Sequence, residues 1–352
     1  MQVIATSFIP PLFDAVLADY KRCIPDAREA EVLALMTALT NKLKTLIAPH
    51  VPSILEAVFE CTLSMITANF TTYPDVRLNF FKMIQALNEH CFAALFSIAP
   101  SHQKFVVHSI VWAFRHQERN ICETGLDILQ QLLNNVAAVP GAGQQQFYQQ
   151  YVAQDPMVVQ VLCPVATHCV YRLCRYFVSL LQDVLWVLTD RLHKFAFKQH
   201  AQILHHMFRL VATNAITAPL FPAGTPGKTN QVCLVALPSH EGMACDDSCC
   251  VVQIFVGEHV CKLLLSYFKN LNNAQVTAFV QGLFDMSKDQ SAYKTHMRDF
   301  LIELREFKSE DNRDLYAEET AIASKRQAEE ERARMLAVPG LIAGAHDAMD
   351  DI

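Results

Sequence analysis

YPDVRLNFFKMIQALNEHCFAALFSIAPSHQKFVVHSIVWAFRHQERNICETGLDILQQLLNNV, residues 73–136, decides the fold. From Asn120 onward its apolar residues fall at Ile121, Gly125, Ile128, Leu129, Leu132, Leu133 and Val136. That spacing lines one side of a helix with 3.6 residues per turn. Val106, Ile110, Ala113 and Phe114 form the matching stripe of the helix before it. Only HQERN (116–120) lies between, polar and too short for anything but a tight corner. The two helices must therefore pack antiparallel or nearly so. Such a pair buries one face and leaves another in need of a neighbour, which stacking into an α-solenoid supplies.

The same pattern extends in both directions. Residues 8–22 read as a helix with Pro10 and Pro11 in its first turn, where missing amides cost little. Pro25 and Asp26 open a second helix, through Val32, Leu35, Met36 and Leu39. Residues 50–67 form a third, with Ile54, Val58, Cys61, Leu63 and Ile66 mostly inward. Beyond the centre, 193–214 is one more helix and 273–307 two more, with Gly282 placed where another helix approaches closely. Helix pairs start roughly 40 to 50 residues apart, as HEAT units do. Strand signals are scarce. The expected fold is all-α, a right-handed solenoid of HEAT-type antiparallel helix pairs ending in a long charged helix.

Composition narrows the function. Hydrophobic residues make up 52% and charged residues 18%, so a large core is expected and wholesale disorder is excluded. A formal charge of −6 argues against a general nucleic-acid binder. No apolar run reaches the ~18 to 20 residues of a bilayer span. MQVIATSFIPPLF lacks a basic leader and a small-residue cleavage site, so an intracellular, soluble protein is expected. No Gly-rich phosphate loop, G-x-S-x-G or H-E-x-x-H motif occurs, which points away from an enzyme and from any cofactor.

Of 12 cysteines, Cys23, Cys61, Cys91, Cys122 and Cys261 stand singly in helical patterns and read as small buried apolar residues. The other seven lie in two segments that lack a clean helical stripe, 152–176 and 232–253. Cys163-x5-Cys169-x4-Cys174 and Cys245-x3-Cys249-Cys250 do not match paired zinc knuckles. His193, His200, His205 and His206 could suggest a metal cluster, but His205 and His206 diverge by roughly 100° on a helix. Ordinary exposed or core histidines are the expectation.

The central words YPDVRLNFFKMIQALNEHCF, FVVHSIVWAFRHQERN and ETGLDILQQLLNNV resemble the C-terminal third of the exportin-1 family, nuclear export receptors of the karyopherin-β class. NKL followed by FECTLSMI, FVQGLF and HMRDFLIELREF extend the resemblance nearly collinearly. It implies HEAT repeats over 1–310, a long helix over 311–338 and a flexible acidic tail over 339–352. It implies Ran-GTP, export-signal cargo and nucleoporins as partners, without direct nucleic-acid contact or membrane insertion, and shuttling between nucleus and cytoplasm. The groove for leucine-rich export signals lies upstream of the matched region in that family. Phe8, Leu12, Phe13 and Val16 open the chain as though another repeat should cover them, so the chain reads as a fragment, a truncated gene product or a partial gene model. The family also runs straight past both cysteine-rich segments. Val232 and Gln253 can be encoded by GTN and CAG, the boundary letters of an intron retained in frame, and a lineage-specific loop is the alternative.

Residues 312–337 differ in kind. Leu315, Ile322 and Met335 give a thin apolar line on an otherwise charged rod of roughly 39 Å. Glu329/Arg332 and Glu330/Arg334 stand at pairing distance, and acidic residues lead while basic ones trail, which suits the helix dipole. On charge pattern alone this is a solvated final helix. DLYAEE, IASKRQAEEE and MLAVPG, however, resemble the family's last helix, which with the tail biases the receptor towards low cargo affinity until Ran-GTP binds. By that resemblance the regulatory residues are Leu315, Ile322, Lys325, Arg326, Arg332, Arg334 and Met335, with Asp347, Asp350 and Asp351 of the more loosely similar tail. A generic HEAT scaffold, gripping another protein without transport, is the alternative.

Overall fold

Prolines or short polar corners open several of the helices. The computed structural model describes residues 1–68, 72–95, 98, 100–138, 180–213, 247–304, 307 and 312–337. After a π-helical turn at Ile4–Phe8, α1 (Ile9–Arg22) carries its two prolines in the first turn. A 3-10 turn at Pro25–Ala27 leads to α2 (Ala30–Leu43), which stops at Lys44, a non-glycine residue at φ 51. α3 (Val51–Ala68) follows another 3-10 stretch. Pro74 opens α4 (Pro74–His90), and α5 (Pro100–Phe114) and α6 (Arg119–Ala138) complete the central stretch. Residues 180–188 are helical, and a 3-10 turn at Arg191–Ala196 precedes α7 (Phe197–Ala212). Then come α8 (Asp247–Tyr267), α9 (Asn273–Asp285) and α10 (Gln290–Glu303), a 3-10 turn at Arg313–Tyr316, and α11 (Ala317–Ala337). Asn272 and Gln275 form a capping box on α9, and Asp289 caps α10. No strand occurs among the described residues.

The helices stack as an all-α solenoid. α2, α4 and α6 start at residues 30, 74 and 119, steps of 44 and 45, and each packs on the next. α7 continues this row on α6, and α10 packs against α7. α1 packs on α3, α5 on α6, and α8 on α9. Among the described residues, one hydrophobic cluster takes in buried side chains from Ala5 to Leu315.

The corner at 116–120 is as tight as its length requires. Val106, Ile110, Ala113 and Phe114 are buried, as are Ile121, Gly125, Ile128, Leu129, Leu132 and Val136; Leu133 is half-buried. Gly125 lets α6 lie against the end of α5, because a Cβ there would meet the Phe114 nitrogen at 2.5 Å and the Ala113 Cβ at 2.8 Å. Arg77, wholly buried in α4, reaches Glu118 of the corner at 3.3 Å and donates to the Thr72 carbonyl at 3.0 Å. Side-chain amides bridge neighbouring helices of the row. Asn79 donates to the Ala30 carbonyl at 3.3 Å, Asn88 to the Ile128 carbonyl at 3.1 Å, and Asn135 to the Asn88 carbonyl at 2.7 Å.

Several expectations change. α2 starts at Ala30 rather than Pro25 and buries Leu33, Met36, Thr40 and Leu43, while Val32, Leu35 and Leu39 are only partly covered. Its sequence is apolar nearly all round, so periodicity alone does not fix which face meets α4. Cys91 and Cys122 are buried, but Cys23, Cys61 and Cys261 are intermediate. Ala30–Ala68 is, contrary to expectation, long and apolar enough by composition to span a membrane; half of its most apolar window is buried, and the chain breaks at Lys44 within it. Gly282 does mark a close approach, made by the His296 imidazole, whose Nε2 would lie 2.3 Å from an added Cβ. α8 begins at Asp247, inside the second cysteine-rich segment, and runs on without a break. The segment 152–176 lies outside the described residues, as do the side chains of Cys245, Cys249 and Cys250.

The four histidines belong to the core. His193 sits in the 3-10 turn before α7, with its ring 2.9 Å from Asp190 and 3.2 Å from the His116 carbonyl. His200, His205 and His206 are buried in α7, and burial drives the pKa of His200 down to about 3. No group of three or more metal-ligating side chains comes together among the described residues.

Candidate functional site

α11 departs from the packing rules of the helices beneath it. From Thr320 to Arg334 every residue is exposed, and Ile322 is 62% exposed. The thin apolar line therefore does not form a buried stripe. A helix polar on all sides must be held by its own ion pairs or by its ends. One such pair is Arg326 to Glu330, 3.0 Å, so Glu330 pairs backward rather than with Arg334. The 21 residues of the helix make a rod of about 31 Å, shorter than expected because 313–316 wind as a 3-10 turn.

The root of α11 is where it meets the solenoid. Leu315 is 2% exposed and closes the end of the core. Three residues on, Glu318 accepts from Lys294 Nζ at 2.9 Å and lies 3.2 Å from Lys198 Nζ. Glu319 lies 2.9 Å from Lys294 Nζ and 2.8 Å from an Arg298 nitrogen. The Arg298 guanidinium also stacks 4.3 Å from the centre of the Tyr316 ring. Lys194 donates to Asn312 at 3.1 Å and lies 4.8 Å from the centre of the Phe307 ring. The amide of Asn312 in turn donates to the Phe307 carbonyl at 3.1 Å.

Amphipathic folding of α10 aims the cations. Tyr293, Met297, Phe300 and Leu301 face the core. Lys294 and Arg298, four residues apart, lie one above the other at its margin. α7 brings Lys198 alongside, because α7 and α10 pack together. Hydrogen bonds from Lys294 hold Glu318 below the usual carboxylate range, against burial and with help from Lys198. Burial pushes Glu319 the other way, but bonds from Lys294, its own backbone amide and Arg298 outweigh it, and the net shift is down. Burial likewise opposes the charge on Lys294, and the two carboxylates more than reverse this and raise its pKa. Exposed ion pairs contribute about 0.2–1 kcal/mol each. Arg298 and Lys294 expose only 11% and 18% of their side chains, so leaving either without a partner costs more than an exposed pair is worth. The arrangement is a polar latch that fixes the root of α11 on α7 and α10.

Of the residues singled out from sequence, Leu315 sits in the latch, while Ile322, Lys325, Arg326, Arg332 and Arg334 lie along the exposed rod. The Met335 side chain and Asp347, Asp350 and Asp351 fall outside the described residues. Sequence reasoning missed Lys194, Lys198, Lys294, Arg298, Glu318 and Glu319. The available signal was Lys294 and Arg298, basic residues at i and i+4 on the edge of an apolar stripe.

Residues 1–171, 164–240 and 243–309 match the family model described as CRM1 C terminal. The joins between these segments fall within the two cysteine-rich stretches. The chain is 42% identical over 340 residues to Protein EXPORTIN 1A of Arabidopsis thaliana, covering 97% of this chain and 27% of that protein. It is 37% identical over 352 residues to Exportin-1 of Drosophila melanogaster, covering 100% of this chain and 28% of the relative. Against Exportin-1 of Schizosaccharomyces pombe it is 37% identical over 345 residues, 97% of this chain and 28% of the relative. The chain thus spans little more than a quarter of the length of the curated relatives it matches.

Proposed function

The chain belongs to the exportin-1 family by its match to the CRM1 C-terminal region, and we propose that it works as the C-terminal part of a nuclear export receptor. In this reading the receptor carries leucine-rich export-signal cargo with Ran-GTP and shuttles through the nuclear pore between nucleus and cytoplasm. Residues 1–310 supply part of the arch that embraces Ran, 311–338 the regulatory helix and 339–352 its acidic tail. The work is recognition by a curved stack of helices, not catalysis.

The observation that carries the regulatory role is the latch. α11 is attached through Leu315 and the carboxylates of Glu318 and Glu319, while 320–334 stays exposed. A helix held this way can be released by a ligand whose affinities for the docked and undocked states differ by a few kcal/mol. The test is made in a full-length receptor carrying this region. Deleting 312–352 should tighten binding of an export-signal peptide in the absence of Ran-GTP. Unchanged affinity would remove the regulatory reading.

A further inference from the structure

We propose that the basic cluster beneath the root of α11 is a docking site for acidic peptide segments of a partner protein, which residues 315–319 occupy in cis as a tethered stand-in. The inference rests on the reading of α11 as a releasable element and names what releases it.

The cluster is assembled from separate elements. Lys198 comes from α7, and Lys294 and Arg298 come from one face of α10. Their contacts converge on one short segment, which presents a buried leucine followed three and four residues later by adjacent carboxylates. Leucine fills the end of the apolar core, and the two carboxylates meet three cations. Among these five side chains the cations outnumber the carboxylates by one, and a segment with more carboxylates complements them better than the present occupant does. The chemistry of the contact also favours exchange. Partly buried ion pairs add little stability over apolar packing of the same volume, whereas they discriminate strongly between charges. Thr320 to Arg334 add no burial to resist displacement. The incoming segment has only to overcome the millimolar effective concentration of a tethered competitor.

The probe is a fluorescein-labelled peptide with the sequence of residues 312–324, read by anisotropy against the whole 352-residue chain. A chain carrying Glu318→Lys and Glu319→Lys expels its own root, and should bind the peptide at least tenfold more tightly than the unaltered chain. Adding Lys294→Glu and Arg298→Glu should abolish that binding. A peptide with lysine at both glutamate positions should bind the chain carrying Lys294→Glu and Arg298→Glu. Equal affinity for the unaltered and vacated chains, or no binding to a vacated chain that melts like the original, overturns the proposal. Should the vacated chain unfold, the unaltered chain still decides. Excess peptide bearing leucine followed by four glutamates should accelerate amide exchange in 320–334 relative to a scrambled peptide of equal charge, and no acceleration overturns it. No export signal enters these measurements, so they can fail while the regulatory reading stands, and the reverse.

Discussion

A Cβ built on Gly125 would stand 2.5 Å from the backbone nitrogen of Phe114. Backbone cannot rotate aside as a side chain can, so the corner must open to admit a methyl group. Gly125→Ala should destabilise the chain by about 1–3 kcal/mol, despite the ~1 kcal/mol that alanine gains over glycine inside a helix. Urea unfolding reads the difference. Gly282→Ala is the control: its obstacle is the His296 ring, which can swing away at the loss of its bond to the Phe279 carbonyl, a cost of about 1 kcal/mol. A Gly125 variant as stable as the original would refute the close approach of α5 and α6.

Asn88 joins α4 to α6 in both directions, donating to Ile128 and accepting from Asn135 through its backbone carbonyl. Asn88→Leu should lose about 0.5–1.5 kcal/mol, because the bond that the Asn88 amide adds to the helical one at the Ile128 carbonyl is lost. In a double-mutant cycle, Asn88→Leu and Asn135→Ala should couple. Strict additivity would show that the two amides act independently.

Lys294 serves both latch carboxylates, each at 2.9 Å. Lys294→Met should raise hydrogen exchange in the first turns of α11 by roughly tenfold, the factor expected for about 1.4 kcal/mol. Exchange in α4 and α6 should not change. Rising salt should reproduce the effect in the unaltered chain, since ions screen such pairs. Uniform loss of protection along the whole stack would mean that Lys294 supports the fold rather than the latch.

Two pH windows follow from the directions of the shifts. His200 is buried neutral with its pKa lowered by burial to about 3, whereas the unfolded chain titrates near 6.5. Protons then favour the unfolded state between these values. Stability is full above about pH 6.5 and falls as pH drops towards 3, by roughly 1.4 kcal/mol per unit for this one group. His205 and His206, also lowered by burial, act in the same sense. His200→Leu should flatten the profile measured by urea unfolding between pH 7 and 4; an unchanged slope would contradict the assignment. Glu318 and Glu319 have lowered pKa values, so their contribution is present above the ordinary carboxylate range and disappears as pH falls through the lowered values.

The segment 232–253 offers a test outside the protein. If it is retained intron, spliced message from the same gene lacks its codons. Transcripts that all contain them would make it a true insertion.

The stack was legible because Ile121, Gly125, Ile128 and Leu132 repeat at one period, and because HQERN leaves no room for another solution. α2 was legible as a helix but not in phase, since Val32, Leu33, Leu35, Met36 and Leu39 offer apolar atoms in too many directions. The latch was half legible. Leu315 stood out, but the partners of Glu318 and Glu319 lie on α7 and α10, up to 120 residues away, where no local pattern points to them. Ile322 shows a limit of periodicity, since spacing gives direction around a helix and not whether anything lies there.

The asparagine bridges along α2, α4 and α6 set how the row can deform. Each fixes one helix against sliding lengthwise over the next, because a carbonyl displaced by half a turn would lose its donor. Tilting is less restricted, since a hydrogen bond tolerates a few degrees far better than a few ångströms. Sliding along the row is thus costlier than tilting, and a load applied at one end should pass along as altered curvature sooner than as slippage.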